Sequence, residues 1–412
     1  MRIAVISYHT SPLAQPGVGD GGGMNVYVKS LSSALARSGM DVDVYTRAIS
    51  ESQKPVEQVE PGFWVHNIAA GPMDHLDKEK LFDHLDEFRQ AILLRMSLNK
   101  ELVPDLIHAN YWLSGIVGHA LKHELELPLI TTFHTLEMVK SNGRSAPDDG
   151  FDSDLRIGFE RAIMGCSDTI LVSCDAEFDQ LSELYGVQPT QLEVVTPGVE
   201  KAFFAPGNKS MARRALGLPE GKKLIVSVGR IQPLKGTALA VEAATQIADS
   251  FDLEVVVVGG PSGVDGAAEF DRMKLIAADA GFSDRLRIVP PQPHETLSSF
   301  YRAADLCLIS SRTESFGLVA LEAAACGIPI IASKVGGLTT LIDHGRTGLL
   351  VEERTAQGFA AGAHELLSNP MRMGAMANAA VHRSARYTWS KAARDFALVA
   401  RRLFERELLS CG

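Results

Sequence analysis

The sequence predicts an α/β protein made of two doubly wound, Rossmann-like domains, each a parallel sheet covered by helices. Three observations predict this. Short β-branched runs alternate with helix-length segments through both halves of the chain, as in a parallel sheet with helical crossovers. A break at Thr196-Pro197-Gly198, repeated at Ala205-Pro206-Gly207-Asn208, separates the halves, because Pro and Gly forbid regular structure there. The length of 412 residues also exceeds one ordinary domain.

The first domain is placed at residues 1–200 and the second at 201–386, with residues 387–412 as a C-terminal helix that packs back on the first domain. In chain order, strands are expected at residues 3–7, 42–46, 106–108, 129–133, 169–173 and 192–195. Helices are expected at 26–37, 80–99, 114–123, 154–166 and 175–185. The second half restarts with strands at 224–228, 253–259, 287–289, 306–310, 329–332 and 348–351. Its helices fall at 237–248, 267–280, 295–304, 318–326 and 356–367. Residues 371–409 have helical periodicity interrupted around Tyr387-Thr388-Trp389-Ser390, where Ser390 reads as an N-cap. Two such domains would face each other across a cleft lined by the C-terminal ends of both sheets.

An apolar fraction of 46% with 22% charged residues fits a soluble chain with full cores. The net charge of −10 argues against a nucleic-acid partner. No apolar run approaches ~18 residues, and Met1-Arg2 leads straight into the first strand, so a cytoplasmic protein without membrane insertion is expected. Five cysteines, Cys166, Cys174, Cys307, Cys326 and Cys411, are odd in number and lack CxxC spacing. They suggest neither a disulfide framework nor a zinc site.

The most informative stretch is Thr313 to Gly327, which sets Glu314 and Glu322 in an otherwise apolar, small-residue run. Residues 304–310 read as a buried parallel strand. Phe316-Gly317-Leu318 then opens a helix whose N–H groups and positive dipole end suit a phosphate. Glu322 sits among buried neighbours and needs hydrogen-bond donors such as sugar hydroxyls. Glu314 lies at the strand-to-helix turn, on the sheet edge where ligands of doubly wound folds bind. The alternatives are a solvated turn for Glu314 and a structural Arg or Lys partner for Glu322.

Arg230 and Lys235 flank a Pro-bearing turn in Gly229-Arg230-Ile231-Gln232-Pro233-Leu234-Lys235-Gly236, so both can aim at one anion such as a diphosphate; a solvated basic turn is the alternative. Asp20-Gly21-Gly22-Gly23-Met24-Asn25 joins the first strand region to a helix through glycines that permit close approach. It matches neither a GxGxxG nor a Walker pattern. His134 ends a strand at the cleft edge. Lys78, Tyr111, Arg156 and Lys140 are unremarkable one by one, and Val335-Gly336-Gly337-Leu338 reads as a structural turn.

Taken together, these motifs resemble the retaining glycosyltransferases of the GT-B fold, marked by two glutamates separated by seven residues. The resemblance covers almost the whole chain. It implies that Glu314 contacts the donor sugar, that Glu322 holds the nucleotide ribose, and that Arg230 and Lys235 neutralise the donor diphosphate. Backbone N–H groups at Phe316, Gly317 and Leu318, with Gly22 and Gly23, would complete the donor site. A narrower set, including His9-Thr10-Ser11-Pro12-Leu13, Gly22-Gly23-Met24-Asn25-Val26-Tyr27, Tyr45-Thr46-Arg47-Ala48 and Tyr111-Trp112-Leu113-Ser114-Gly115, is similar to the mycothiol-pathway branch. That branch moves N-acetylglucosamine from its UDP ester to 1L-myo-inositol 3-phosphate. Asn25, Lys78, Tyr111, Thr135 and Arg156 would then bind the phosphorylated acceptor. The sequence departs from the branch at Gln292-Pro293-His294, where an Arg-Pro-Pro segment stands, and at Gly21, where a Ser stands.

The resemblance implies front-face transfer with retention, in which His134 and Glu314 hold the donor sugar and no protein nucleophile is needed. With two cations at the diphosphate no metal cofactor is required, and any Mg2+ effect is expected to be non-essential. A sucrose-phosphate-synthase-like or other UDP-glucose-dependent transferase, a UDP-sugar 2-epimerase and a non-catalytic sensor are the rival readings. A homodimer is compatible with the family.

Overall fold

The structure is a computed structural model that describes residues 1–17, 19, 21–141, 151–405, 407–409 and 411. Asp20 lies outside the described residues, as does the side chain of Lys78. The chain divides into two compact units, one comprising Met1–Ala14, Gly23–Gly198 and Trp389–Gly412, the other Gln15–Gly22 and Val199–Thr388.

Among the described residues the first unit holds an eight-stranded sheet: β1 (Arg2–Ile6), β2 (Asp41–Arg47), β3 (Val56–Glu60), β4 (Phe63–Ile68), β5 (Leu106–Asn110), β6 (Leu129–Thr132), β7 (Thr169–Val172) and β8 (Leu192–Val194). Its order is β3-β4-β2-β1-β5-β6-β7-β8, with every pairing parallel except β3 with β4. β1, β5 and β6 are wholly or almost wholly buried, which is why they read as continuous apolar runs. The sequence reading had no strands at β3 and β4. Val56-Glu57-Gln58-Val59-Glu60 is an exposed, charged edge strand, so it carries no apolar run to detect.

The second unit holds a six-stranded parallel sheet ordered β11-β10-β9-β12-β13-β14. The strands are β9 (Lys223–Val228), β10 (Leu253–Val258), β11 (Leu286–Val289), β12 (Leu306–Ile309), β13 (Ile330–Ser333) and β14 (Leu349–Val351). Its core gathers Ile225, Val255, Val257, Leu308 and Ile331 from the strands with Val241, Met273 and Phe359 from the covering helices.

Three further expectations are corrected. The helix expected at 80–99 is two helices, Lys78–Phe82 and Leu85–Leu98, and the helix Trp389–Leu403 already contains Ser390, which is therefore not its cap. That helix packs on Gly23–Arg37 within the first unit. Finally, Cys166 and Cys411, which the spacing did not pair, have their sulfurs side by side with Cα atoms 5.2 Å apart, across a sequence separation of 245. No helix among the described residues is long and apolar enough to cross a membrane.

Candidate active site

In each unit the candidate residues follow the C-terminal ends of parallel strands, the edge where doubly wound sheets bind ligands. In the second unit the turns after β9 and β12 are tied together. Arg312 N–H donates to Leu234 O at 2.8 Å, and Ser310 Oγ donates to Gly236 O at 2.7 Å. This brings Lys235 Nζ to 2.6 Å from Glu314 Oε2, which also accepts from Ser311 Oγ at 3.2 Å. Both side chains keep partial access to solvent, 27% for Lys235 and 19% for Glu314. The loop at Gly22 reaches Arg230, whose Nε lies 3.6 Å from the point a β-carbon at residue 22 would occupy. That is an ordinary contact distance, so the guanidinium does not by itself demand a glycine at residue 22. Gly23, by contrast, starts the helix Gly23–Arg37 of the first unit.

Gly317 has φ 100° and precedes the helix Leu318–Ala325, whose N-terminus has no side-chain cap. Its first-turn N–H groups are thus offered to an anion, although Phe316 itself is buried. The turn Gly336-Gly337 packs against this segment, with Gly337 N–H donating to Glu314 O at 2.9 Å. A β-carbon at residue 337 would come within 2.4 Å of Phe316 Cα, so the paired glycines admit backbone, not ligand.

Glu322 is 6% exposed and accepts from Tyr301 Oη at 2.9 Å, with His294 Nε2 4.0 Å from its other oxygen. Burial pushes its carboxyl up to about 7, only partly opposed by the Tyr301 hydrogen bond. The expectation of sugar hydroxyls as its donors is corrected to this extent: the protein supplies one neutral donor of its own.

In the first unit, Tyr111 and His134 have positive φ, 78° and 61°, at the ends of β5 and β6. Non-glycine residues rarely adopt this conformation, and its cost of roughly 1–2 kcal/mol each is one that functional sites tolerate. His134 Nε2 lies 2.9 Å from Asn110 Oδ1, while Asn110 Nδ2 points to His108 O, so the ring proton belongs on Nε2. Tyr27 packs its ring edge-on to His134 at 4.8 Å. Burial first, then the neighbouring His108 and His9, lowers the imidazole to about 3, so it is neutral.

The structure brings Tyr111, Thr135 and Arg156 together but uses Arg156 differently from the expectation. Its guanidinium is fully buried, 2.9 Å from Glu160 Oε1 and 3.0 Å from Glu137 Oε2. Arg156 Nη2 reaches Thr135 Oγ1 at 3.2 Å, and the group lies over the Tyr111 ring at 5.3 Å. A buried guanidinium requires counter-charge, and these two carboxylates provide it. Asn25 is likewise engaged, donating to Thr10 Oγ1 at 2.7 Å and Ser11 O at 2.6 Å, which pins the turn after β1. Lys78 begins a short helix, Lys78–Phe82. Asn110, Tyr301 and Glu137 were missed by sequence reasoning, since each acts through a partner about twenty residues away, and Glu160 was missed although it stands four residues after Arg156 on the same helix.

Comparison with known proteins decides the family. Residues 191–383 match the family "Glycosyl transferases group 1", and residues 22–198 match the "Glycosyl transferase 4-like domain". A D-inositol 3-phosphate glycosyltransferase of Acidothermus cellulolyticus is 41% identical over 393 residues, covering 94% of this chain and 87% of the relative. The chain belongs to the group 1 glycosyltransferases. Another relative of this glycosyltransferase, the D-inositol 3-phosphate glycosyltransferase of Mycobacteroides abscessus, is 42% identical over 95% of this chain and 87% of its own. Among solved structures, a sucrose-phosphate synthase of Thermosynechococcus elongatus is 32% identical with a TM-score of 0.90, covering 98% of this chain and 99% of that one. The glycosyltransferase therefore has the two-domain GT-B fold.

Proposed function

We propose that this glycosyltransferase moves N-acetylglucosamine from a UDP-sugar to 1L-myo-inositol 3-phosphate with retention of configuration. The observation that carries the reading is the meeting of Lys235, Glu314 and the uncapped helix start at Leu318 on one pair of loops, in a chain 41% identical to a relative named for D-inositol 3-phosphate. The donor diphosphate lies against Arg230, Lys235 and the N–H groups at residues 316–318. Glu314 takes sugar hydroxyls and Glu322 the ribose. Charge builds on the diphosphate oxygen as its bond to the anomeric carbon breaks, and the two cations and the helix dipole stabilise it. The acceptor hydroxyl oxygen bonds to that carbon from the same face and passes its proton to the departing phosphate oxygen. Thr135 and Tyr111, with Arg156 behind them, receive the acceptor phosphate, and Asn25 and Lys78 belong to the same set. Two cations suffice for the leaving group, so no divalent cofactor is needed.

A second reading, transfer to fructose 6-phosphate, is favoured by the 0.90 TM-score to a sucrose-phosphate synthase. UDP release from UDP-N-acetylglucosamine is measured with inositol 3-phosphate, with fructose 6-phosphate and without acceptor, and the anomeric configuration of the product is read by NMR. Release with inositol 3-phosphate alone and an α-linked product are expected. Turnover only with fructose 6-phosphate supports the second reading, and turnover of donor alone supports an epimerase or hydrolase.

A further inference from the structure

The geometry points to a structural Zn2+ site formed by His119, His123, Cys166 and Cys411, none of which is assigned above to donor or acceptor. His119 and His123 stand four residues apart, near the C-terminal end of the helix Trp112–Leu125, on one face. Cys166 is the last residue of the helix Ser153–Cys166, and Cys411 is in the segment after the final helix. One ligand atom from each of the four lies within 4.8 Å of all the others.

The distances from the histidines suit a metal better than hydrogen bonds, while the two sulfurs, in direct contact here, part when they bind one as thiolates. His119 Nε2 and His123 Nε2 are 3.2 Å apart, and His123 Nε2 is 3.3 Å from Cys166 Sγ and 3.2 Å from Cys411 Sγ. Cys411 Sγ is 3.9 Å from His119 Nε2. An imidazole nitrogen carries either one proton or one lone pair, so His123 Nε2 cannot satisfy three neighbours at once. A cation at the centre satisfies all four ligands. Tetrahedral zinc with ordinary Zn–N and Zn–S bonds sets edges of about 3.3 Å between nitrogens and about 3.5 Å between nitrogen and sulfur. Two imidazoles and two sulfurs are also the donor set that selects zinc over harder cations.

The surroundings are built for this cluster. Lys122, only 3% exposed, donates to Cys166 O and pairs with Asp168 Oδ2, both at 2.8 Å, which fixes the end of the helix that carries Cys166. Leu409 N–H donates to Asp168 Oδ1 at 2.7 Å, which anchors the terminal segment and delivers Cys411. The rival is a plain Cys166–Cys411 cross-link, which leaves the convergence of both histidines on the sulfurs without a purpose. A zinc clasp fastens the terminal segment to two helices of the first unit, closing a loop that spans most of the chain.

The test uses the full chain, purified without chelator under reducing conditions. Elemental analysis is expected to find about one zinc per chain, and exchange with Co2+ to give the visible bands of a tetrahedral thiolate site. Cys411→Ser, which alters only the terminal segment, and the double variant His119→Ala/His123→Ala are each expected to lower metal occupancy at least about tenfold while circular dichroism stays unchanged. Absence of metal and of cobalt bands, with Cys166 and Cys411 unreactive to thiol reagents until reduced, overturns the proposal in favour of the cross-link. Full zinc retention in either variant overturns it as well, because the metal then sits elsewhere.

Discussion

Lys235 and Glu314, 79 residues apart in sequence, form an ion pair of 2.6 Å in front of the helix that begins at Leu318. The pair sets a cation and an acceptor of hydroxyl protons side by side, and on the proposed reading these match the charge and the hydroxyls of a sugar diphosphate. Each partner also holds the other in its rotamer before substrate arrives.

Lys235→Ala and Arg230→Ala are expected to lower kcat by about 10²–10³-fold, the usual cost of removing one preorganised charge from a transition state. Lys235→Ala should cost at most about 1 kcal/mol of stability, since the pair is partly exposed. Steady-state kinetics and thermal melts check both statements. Wild-type turnover in either variant removes the diphosphate assignment.

Glu322 supplies a pH signature. Its carboxyl is raised from 4.5 to about 7, so between those values the folded chain binds more protons than the unfolded one. Stability from this group is therefore greatest at low pH and falls as pH rises through the window, by on the order of 3 kcal/mol at most. Glu322→Gln keeps an acceptor for Tyr301 and should melt higher than wild type at pH 8 but not at pH 4.5. Parallel melting curves at both pH values refute the burial argument.

His134 is expected to be silent between pH 5 and 8, because its imidazole, lowered to about 3, is already neutral there. A limb near pH 6.5 in kcat/KM that vanishes in His134→Ala would show otherwise. Asn110→Ala, which frees the ring to turn, should lower kcat by about tenfold or more without moving the donor KM, since misplaced contact groups cost rate.

Arg156→Ala should primarily unfold the protein. It strands Glu137 and Glu160, both buried, at a cost of about 3–5 kcal/mol. Thr135→Val is the cleaner probe of the acceptor site, and a several-fold rise in acceptor KM with an unchanged melting temperature is expected. Equal effects on donor and acceptor KM would move Thr135 out of that site.

The parallel sheets were legible because a strand buried on both faces must be apolar along its length, as in Leu306-Cys307-Leu308-Ile309. The edge strand Val56–Glu60 was not legible, since a solvated edge needs no such pattern. Glu314 and Lys235 could be read because a charge at a strand-to-helix turn is conspicuous in its local context. The i,i+4 spacing of Arg156 and Glu160 was there to be read, whereas Tyr301, Asn110 and Glu137 are ordinary residues locally, and only the folded chain makes them partners. The same holds for Cys166 and Cys411, which local spacing rules treat as unrelated.

The diglycine turn at Gly336-Gly337 limits how this enzyme is engineered. Because the backbone of Glu314 and Phe316 occupies the room that β-carbons at 336 and 337 would need, the two segments behave as a peg and its socket. A chimera that imports the 313–317 loop from a relative must import residues 335–338 with it. A library that replaces either glycine will consist mostly of misfits.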